Sequence, residues 1–525
     1  MNLIDPTIAG RVRELLRPGF YGPNVRRVRL IQTHTSWVFL TGEYCYKVKK
    51  PVNFGFLDYT TLSARRFFCT EEFRLNKQLS ADIYLAVLPI TLGRRGVVLG
   101  GRGRVIDYCI KMCELPQSAI MTEQLKHGRV TFAHIDSVAR QIALFHERAE
   151  RGPQVAQYGS SEIVRLNWDE NFAQTLDFRG RTITYPQFDF IRRAVEQFIQ
   201  KKRHLFRHRR EAGFVRKCHG DLHSKNIFII GPDIRIFDCI EFNPRFSCSD
   251  VASEVAFMVM DLDYHDRHDL ANFFVERYVE YARDPGLLRL LDFYLCYRAY
   301  VRGKVTSFNL NDPGMTAQDK VEAKTSARRY FHLSERYARK LFARNWLCAM
   351  VGLPGTGKTY IARRLASRTL AFHLLSDSIR KQLVGIPVGT HVRPGADRGI
   401  YRQDISRRTY AELLRRARVL LAAGHSVILD ATFLREDSRQ EVRDLARRAG
   451  VKVLFVFADC PEKTVVSRMR RRLHAQCLSD ADIGIYRRMK ARFVPPKPGH
   501  NLIRIDTRQP VNRSLEKIER VLLHR

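Results

Sequence analysis

From about Arg27 to Met112 the chain reads as strand, helix, strand. SWVFLTGEYCYKVKK alternates apolar and polar positions, RRFFCTEEFRLNKQL spaces its apolar residues as a helix does, and RVIDYCIKM alternates again. That order predicts a small, mostly antiparallel lobe with one helix. From about Pro116 to Tyr330 long helical patterns dominate, broken by NIFIIGPDIRIFD, a hairpin whose turn is Gly231-Pro232-Asp233. A larger helical lobe is expected there. Around Ala327 to Asn345 the basic amphipathic segment SARRYFHLSERYARKLFARN gives way to the apolar strand WLCAMV. Beyond it WLCAMV, SVILDAT, VKVLFVFA and NLIRID alternate with helical stretches, the mark of a parallel sheet covered by helices on both faces. The expected organisation is an α+β domain over residues 1–335 and an α/β domain over residues 340–525.

Length agrees with two domains, since 525 residues exceed what one hydrophobic core usually supports. No apolar run long enough for a membrane-spanning helix occurs, and the first twenty residues lack the pattern of an export signal, so a cytoplasmic protein is expected. The 11 cysteines form no C-x-x-C pair, and several lie inside apolar strands, as reduced, buried thiols do. A formal charge of +36 favours polyanionic partners such as nucleic acid, or anionic substrates. Because the basic residues run through both halves, a genome-wide arginine bias accounts for the charge equally well.

The chemistry is carried by short motifs. Gly352-Leu-Pro-Gly355-Thr-Gly357-Lys358-Thr359 fits G-x-x-x-x-G-K-[ST] and stands between an apolar strand and the helical YIARRLASR. In such a loop glycines let backbone N–H groups converge on phosphates, the lysine charge reaches the β/γ-phosphates, and the threonine hydroxyl ligates Mg2+. Some twenty residues on, HLLSDSIRKQL sets Asp377 and Arg380 on one helix face, as a base for an attacking hydroxyl and an anion clamp, or as an ordinary helix-surface ion pair. Asp430 closes the strand SVILD where a magnesium-orienting carboxylate belongs, and Arg468 and Arg472, four apart on a helix, suit a lid that reaches the transferred phosphoryl group or a solvated basic face.

Upstream, Cys218-His219-Gly220-Asp221-Leu-His-Ser-Lys-Asn226 contains H-G-D-x-x-x-x-N, and the following hairpin delivers Ile236-Phe237-Asp238. Asp221 is read as the group that orients and deprotonates an acceptor hydroxyl, with His219 opening the same loop; Asn226 and Asp238 are read as metal ligands. The preceding lobe should then supply a lysine for the α/β-phosphates and a helix glutamate that positions it. Lys47, two residues after the small Cys45, is preferred to Lys49, and Glu72, which shares a face with Phe68 and Leu75, to Glu71. The chain is expected to cross between lobes at Met112-Cys113-Glu114.

GLPGTGKT, SDSIRK, VILDATF and the arginine-rich helix resemble the small P-loop kinases of the AAA-33, or predicted-kinase, family over about residues 345–525. HGDLHSKN, with its flanking elements, resembles the aminoglycoside phosphotransferase family, which has the protein-kinase-like fold, over about residues 25–330. The tandem order is similar to bacterial proteins described as bifunctional aminoglycoside phosphotransferase/ATP-binding proteins. The resemblance implies ATP and Mg2+ as cofactors, and two modules that phosphorylate hydroxyls of small molecules. Two departures stand out: THTSWVF occupies the place of a glycine-rich phosphate loop, and acidic residues suited to a polycationic aminoglycoside are not evident. Two further readings remain open at this point: a C-terminal polynucleotide 5′-hydroxyl kinase, and a nucleotide-sensing regulator in which one module controls the other.

Overall fold

The computed structural model describes residues 12–523 apart from residues 56, 95, 391, 393–398 and 473–482. They form two compact units. The first takes in the described residues up to Val130, then Ser137–Tyr264 and Leu291–Ala338; the second takes in Thr131–Asp136, His265–Leu290 and the described residues from Arg339 onward.

The first unit opens with a six-stranded sheet in the order β1-β2-β3-β6-β4-β5, antiparallel throughout. Its strands are β1 (Arg29–Gln32), β2 (Ser36–Leu40), β3 (Tyr44–Lys49), β4 (Tyr84–Gly93), β5 (Gly96–Leu99) and β6 (Arg104–Cys113). The two-residue period of β3 sorts its side chains. Tyr46 and Val48 enter one core with Trp37, Phe39 and Ile90, while Cys45 joins Leu40, Cys69, Ile110 and Met112 on the other face, where Lys47 and Lys49 also point.

The helix Leu62–Asn76 covers that second face. Thr61 caps it, the hydroxyl accepting from the Ala64 N–H at 3.1 Å. Its buried positions are Arg65, Cys69, Glu72, Leu75 and Asn76. Three of these five are polar, so specific partners as well as apolar packing dock this helix. Arg65 Nε donates to Asp107 Oδ1 at 2.8 Å, and Asn76 Oδ1 accepts from the Cys239 N–H at 2.9 Å.

The rest of this unit is mainly helical, with two short antiparallel pairs, β7 (Val215–Lys217) with β10 (Cys248–Asp250) and β8 (Ile227–Ile230) with β9 (Asp233–Ile236). The helix Val251–Tyr264 is buried from Val251 to Leu262 and serves as its axis. Trp168 stacks on Phe172 at 5.2 Å and meets the edges of Tyr297 and Tyr300, gathering the helices Ser161–Thr175 and Leu288–Phe308. This is an α+β arrangement, an antiparallel sheet with its covering helix followed by a mainly helical part.

The second unit is an α/β P-loop fold. Its five-stranded parallel sheet runs β12-β13-β11-β14-β15, with β11 (Trp346–Val351), β12 (Phe372–Leu375), β13 (Val427–Asp430), β14 (Lys452–Asp459) and β15 (Leu502–Asp506). Every residue of β11 is buried, as expected of a central strand covered on both faces. The helix His268–Ala282 belongs to this unit: His268 Nε2 donates to the Ala371 carbonyl at 3.0 Å, and Arg416 meets Glu276 at 3.1 Å.

In the first unit Arg209 grips Asp250 in a buried two-pronged pair at 2.5 and 2.7 Å. Arg209→Leu strands the carboxylate in the interior. It is expected to lower the stability of that unit by about 3–5 kcal/mol, read as a fall in the urea midpoint; a loss under about 1 kcal/mol would show that the pair is dispensable.

Candidate active sites

In the first unit a cavity of about 850 Å³ opens between the sheet and the helical part, and Lys47, Asp221 and Asp238 all line it. The inward face of β3 supplies the lysines. Lys47 Nζ donates to Glu72 Oε1 at 2.8 Å and to Asp238 Oδ1 at 2.6 Å, and Lys49 Nζ donates to the other oxygen of Glu72 at 2.8 Å. Glu72 is thus shared by both lysines, while Glu71 faces outward and pairs with Arg74 at 2.8 Å. Burial pushes the Glu72 carboxyl up, but Lys47 and Lys49 outweigh it and hold the group down to about 2. Burial likewise works against the Lys47 ammonium, and Asp238 and Glu72 reverse it, raising the pKa well above its ordinary value.

Sequence reasoning did not find the second half of this network. Lys49 also reaches Glu241, whose Oε1 accepts from the Tyr59 hydroxyl at 2.6 Å. Glu241 stands three residues after Asp238 in DCIE, and that short run of acidic residues was the available signal.

The catalytic-type loop is fixed from behind. The N–H groups of His219 and Gly220 donate to the carboxylate of Glu254 at 3.0 and 2.6 Å, and the same carboxylate pairs with His146 at 2.7 Å. Glu254 is fully buried on the helix Val251–Tyr264 and has no counterpart in the sequence motif. His219 is fully buried, its Nε2 against the Phe237 carbonyl at 2.8 Å and its Nδ1 accepting from the Asp221 N–H at 3.2 Å. It braces the loop. Asn226 Nδ2 donates to Asp221 at 3.0 Å, which leaves its amide oxygen as its remaining acceptor. Burial raises the Asp221 carboxyl, but His223, Arg302 and His219 together hold it below the usual carboxylate range.

Asp238 has φ 69°, a left-handed conformation uncommon outside glycine. It is held there on both sides: its own N–H donates to the Tyr84 hydroxyl at 3.3 Å, and the next two N–H groups donate to Asn76 Oδ1 at 2.9 Å and to the His219 carbonyl at 2.8 Å. The turn after β1, Thr33 to Ser36, lies on the cavity and is closed by the Thr33 hydroxyl accepting from the Ser36 N–H at 2.9 Å. Hydroxyl and imidazole groups occupy the place that glycines take in a phosphate-covering loop. At the other edge β6 ends at Cys113, and Glu114 follows on the cavity wall.

In the second unit the loop after β11 needs its glycines. Gly352, Gly355 and Gly357 have φ 140°, 80° and 97°, and a Cβ on Gly352 would stand 2.6 Å from the Ala458 carbonyl. Lys358 Nζ donates to the Leu353 carbonyl at 2.9 Å, across the loop. A pocket of about 60 Å³ is lined by Lys358, Thr359, Asp377, Arg380 and Asp430 together with Tyr401 and Tyr410. Asp377 and Arg380 are salt-bridged to each other, and the Arg380 guanidinium lies 4.7 Å from the Tyr401 ring centre. Burial raises the Asp430 carboxyl, but His373 at 3.1 Å, Lys358 and Thr359 hold it below its ordinary value. His373, one strand over on β12, carried no sequence signal beyond lying in a strand.

Arg468 takes a different position from its companions. Its guanidinium donates to Thr507 Oγ1 at 2.9 Å, to the Thr507 carbonyl at 2.8 Å and to the Thr356 carbonyl at 3.2 Å, bracing the phosphate loop from outside. Arg472 ends the helix Glu462–Arg472, and its side chain lies outside the described residues.

Glu72→Gln removes the charge shared by two buried ammonium groups, and is expected to destabilise the first unit by about 3 kcal/mol at neutral pH. A carboxyl held below its usual 4.5 contributes stability above that pH and loses it as the pH falls toward about 2. The wild-type protein should therefore lose stability over this window more steeply than the variant; equal acid profiles in thermal melts would contradict the assignment.

The AAA domain family matches residues 347–496. Among solved structures, a gluconokinase from Sinorhizobium meliloti 1021 is 20% identical, covering 34% of this chain and 93% of its own, with a TM-score of 0.26. A choline/ethanolamine kinase family protein from Mesorhizobium loti is 12% identical, covering 63% of this chain and 99% of its own, with a TM-score of 0.35. Along nearly its whole length the chain is 30% identical over 486 residues to the protein Rv2004c of Mycobacterium tuberculosis H37Rv, covering 92% of this chain and 93% of the relative, and equally to Mb2027c of Mycobacterium bovis. At that identity and coverage the chain belongs to the same family as these mycobacterial proteins.

Proposed function

We propose that the protein is an ATP- and Mg2+-dependent phosphotransferase with two modules, each moving the γ-phosphoryl group of ATP to a hydroxyl of a small molecule. The observation that carries this reading is the meeting of Lys47 Nζ with Glu72 at 2.8 Å and Asp238 at 2.6 Å on a cavity that Asp221 also lines. Phosphoryl transfer asks for little covalent chemistry and for close control of charge. A lysine held positive by two carboxylates suits nucleotide phosphates, and a separate carboxylate on the loop suits the acceptor proton.

The donors fit a hard divalent cation. In the first unit the Asp238 carboxylate and the Asn226 amide oxygen would hold magnesium; in the second, Thr359 and Asp430 would do so. The metal, when bound, supplies charge neutralisation on the phosphates. The chain's own residues then divide the work. Asp221, fixed by Asn226 and by the loop bonds to Glu254, is positioned to accept the proton of an attacking hydroxyl. Lys47 orients the nucleotide. In the second unit Lys358 at the base of the helix Lys358–Thr369 serves the nucleotide phosphates, and Asp377 takes the role of base once Arg380 turns to the acceptor or the transferred group.

Asp221 and Asp238 are expected to separate. Asp221→Asn should leave the Kd for Mg-ATP within about twofold and reduce transfer by about 10²–10⁴-fold. Asp238→Asn should weaken Mg-ATP binding by about tenfold or more as well as turnover. Calorimetric titration of Mg-ATP into the full-length variants, with Lys358→Ala present to silence the other site, reads both. Loss of nucleotide affinity in Asp221→Asn with affinity kept in Asp238→Asn would reverse the roles.

A further inference from the structure

The cavity of the first unit extends well past the Lys47–Asp238 end. Beyond Asp221 its wall is built largely by the helix Leu288–Phe308, which presents Arg298, Arg302 and Lys304. Their electrostatic accounts are unbalanced. Arg298 spends its hydrogen bonds on two carbonyls, those of Ser253 at 3.1 Å and Gly220 at 3.2 Å, and among the described residues meets no carboxylate in an ion pair. Among the described residues Arg302 forms no ion pair either; it interacts with the Tyr330 hydroxyl, and its Nε is buried without a hydrogen-bond partner. Lys304 donates to the neutral Gln174 amide oxygen at 2.6 Å. The carboxylates at this end are already committed: Glu170 is held in a two-pronged pair by Arg245 at 2.8 and 2.6 Å, and Asp221 is bonded by Asn226. Arg302 also feels Asp221 and the buried Asp261, and Lys304 feels Glu170, but each of these carboxylates already accepts hydrogen bonds from another group: Asn226, the Ser224 N–H and Arg245.

We infer that the acceptor of the first unit is an anionic hydroxylated small molecule, a phosphate monoester or carboxylate of sugar size, whose negative group is held by Arg302 and Lys304 while its hydroxyl faces Asp221. This deepens the phosphotransferase reading and rests on it. A guanidinium with an unpartnered buried N–H costs free energy unless a ligand satisfies it, and a phosphate or carboxylate does so with charge-assisted bonds. Burial lowers the Lys304 ammonium to about 8, a penalty that an anion beside it would remove. A polycationic acceptor would meet only repulsion from the same three groups. The aromatic rings of Tyr297 and Phe308 on the same wall give the carbon skeleton an apolar floor.

The test uses the full-length protein carrying Lys358→Ala, with the remaining nucleotide site filled by Mg-AMPPNP, and a hexose series that differs in charge: glucose, glucosamine and glucose 6-phosphate. Calorimetry should give glucose 6-phosphate an affinity about tenfold or more above glucose, with glucosamine the weakest. Arg302→Gln and Lys304→Gln should each remove most of that preference while the Kd for Mg-AMPPNP and the melting temperature stay near those of the parent. Equal or tighter binding of glucose or glucosamine, or a preference that survives both substitutions, overturns the proposal. If the phosphate ester binds as expected but no phosphoryl group passes from ATP to any member of the series or of a metabolite extract, the anion site stands and the kinase reading falls.

Discussion

A buried carboxylate cannot stay ionised in a protein interior unless opposite charge is brought to it, and Glu72 is brought two ammonium groups at 2.8 Å each. That requirement organises the first unit. Because Lys47 and Lys49 stand two apart on β3, they lie on one face of the sheet and can share a single glutamate on the covering helix. Each lysine is then left with a second partner on the segment after β9: Asp238 for Lys47, Glu241 for Lys49. Sheet, helix and the Asp238 segment are therefore clamped by one charge network, and Asp238 is its exposed end. Side-chain exposure states the gradient: Glu72 is fully buried, Lys47 is 15% exposed and Asp238 is 43% exposed.

The second unit solves the same problem with backbone. Its phosphate loop is set by three glycines with positive φ, and Arg468 and Thr507 brace the loop from outside. The two units also differ in the room they offer, about 850 Å³ against about 60 Å³. In the smaller, Asp377 and Arg380 face each other as an ion pair.

Much of this was legible in the chain because it is local. Alternation in SWVFLTGEYCYKVKK and the buried run WLCAMV report strands directly, and the P-loop is a single stretch whose residues act where they stand. H-G-D-x-x-x-x-N is legible for the same reason. What the sequence does not carry is the choice of partner across distance. Glu254 lies some 35 residues from the loop it fixes, and Glu241 is 192 residues from Lys49. The helix Leu62–Asn76 shows why pattern alone falls short: periodicity places Glu72 on the apolar face, but the buried face also includes Arg65 and Asn76, whose partners no pattern names. Arg298 and Arg302 are hidden likewise, as two arginines among many in a chain of net charge +36.

On the proposed reading one chain holds two separate nucleotide sites. Titration of Mg-ATP into the full-length protein, its Lys47→Met variant, its Lys358→Ala variant and the double variant tests that most directly. The parent should bind two equivalents, each single variant one, with the surviving site close to its parental affinity, and the double variant none. A single equivalent in the parent, or the loss of both sites in either single variant, would contradict it.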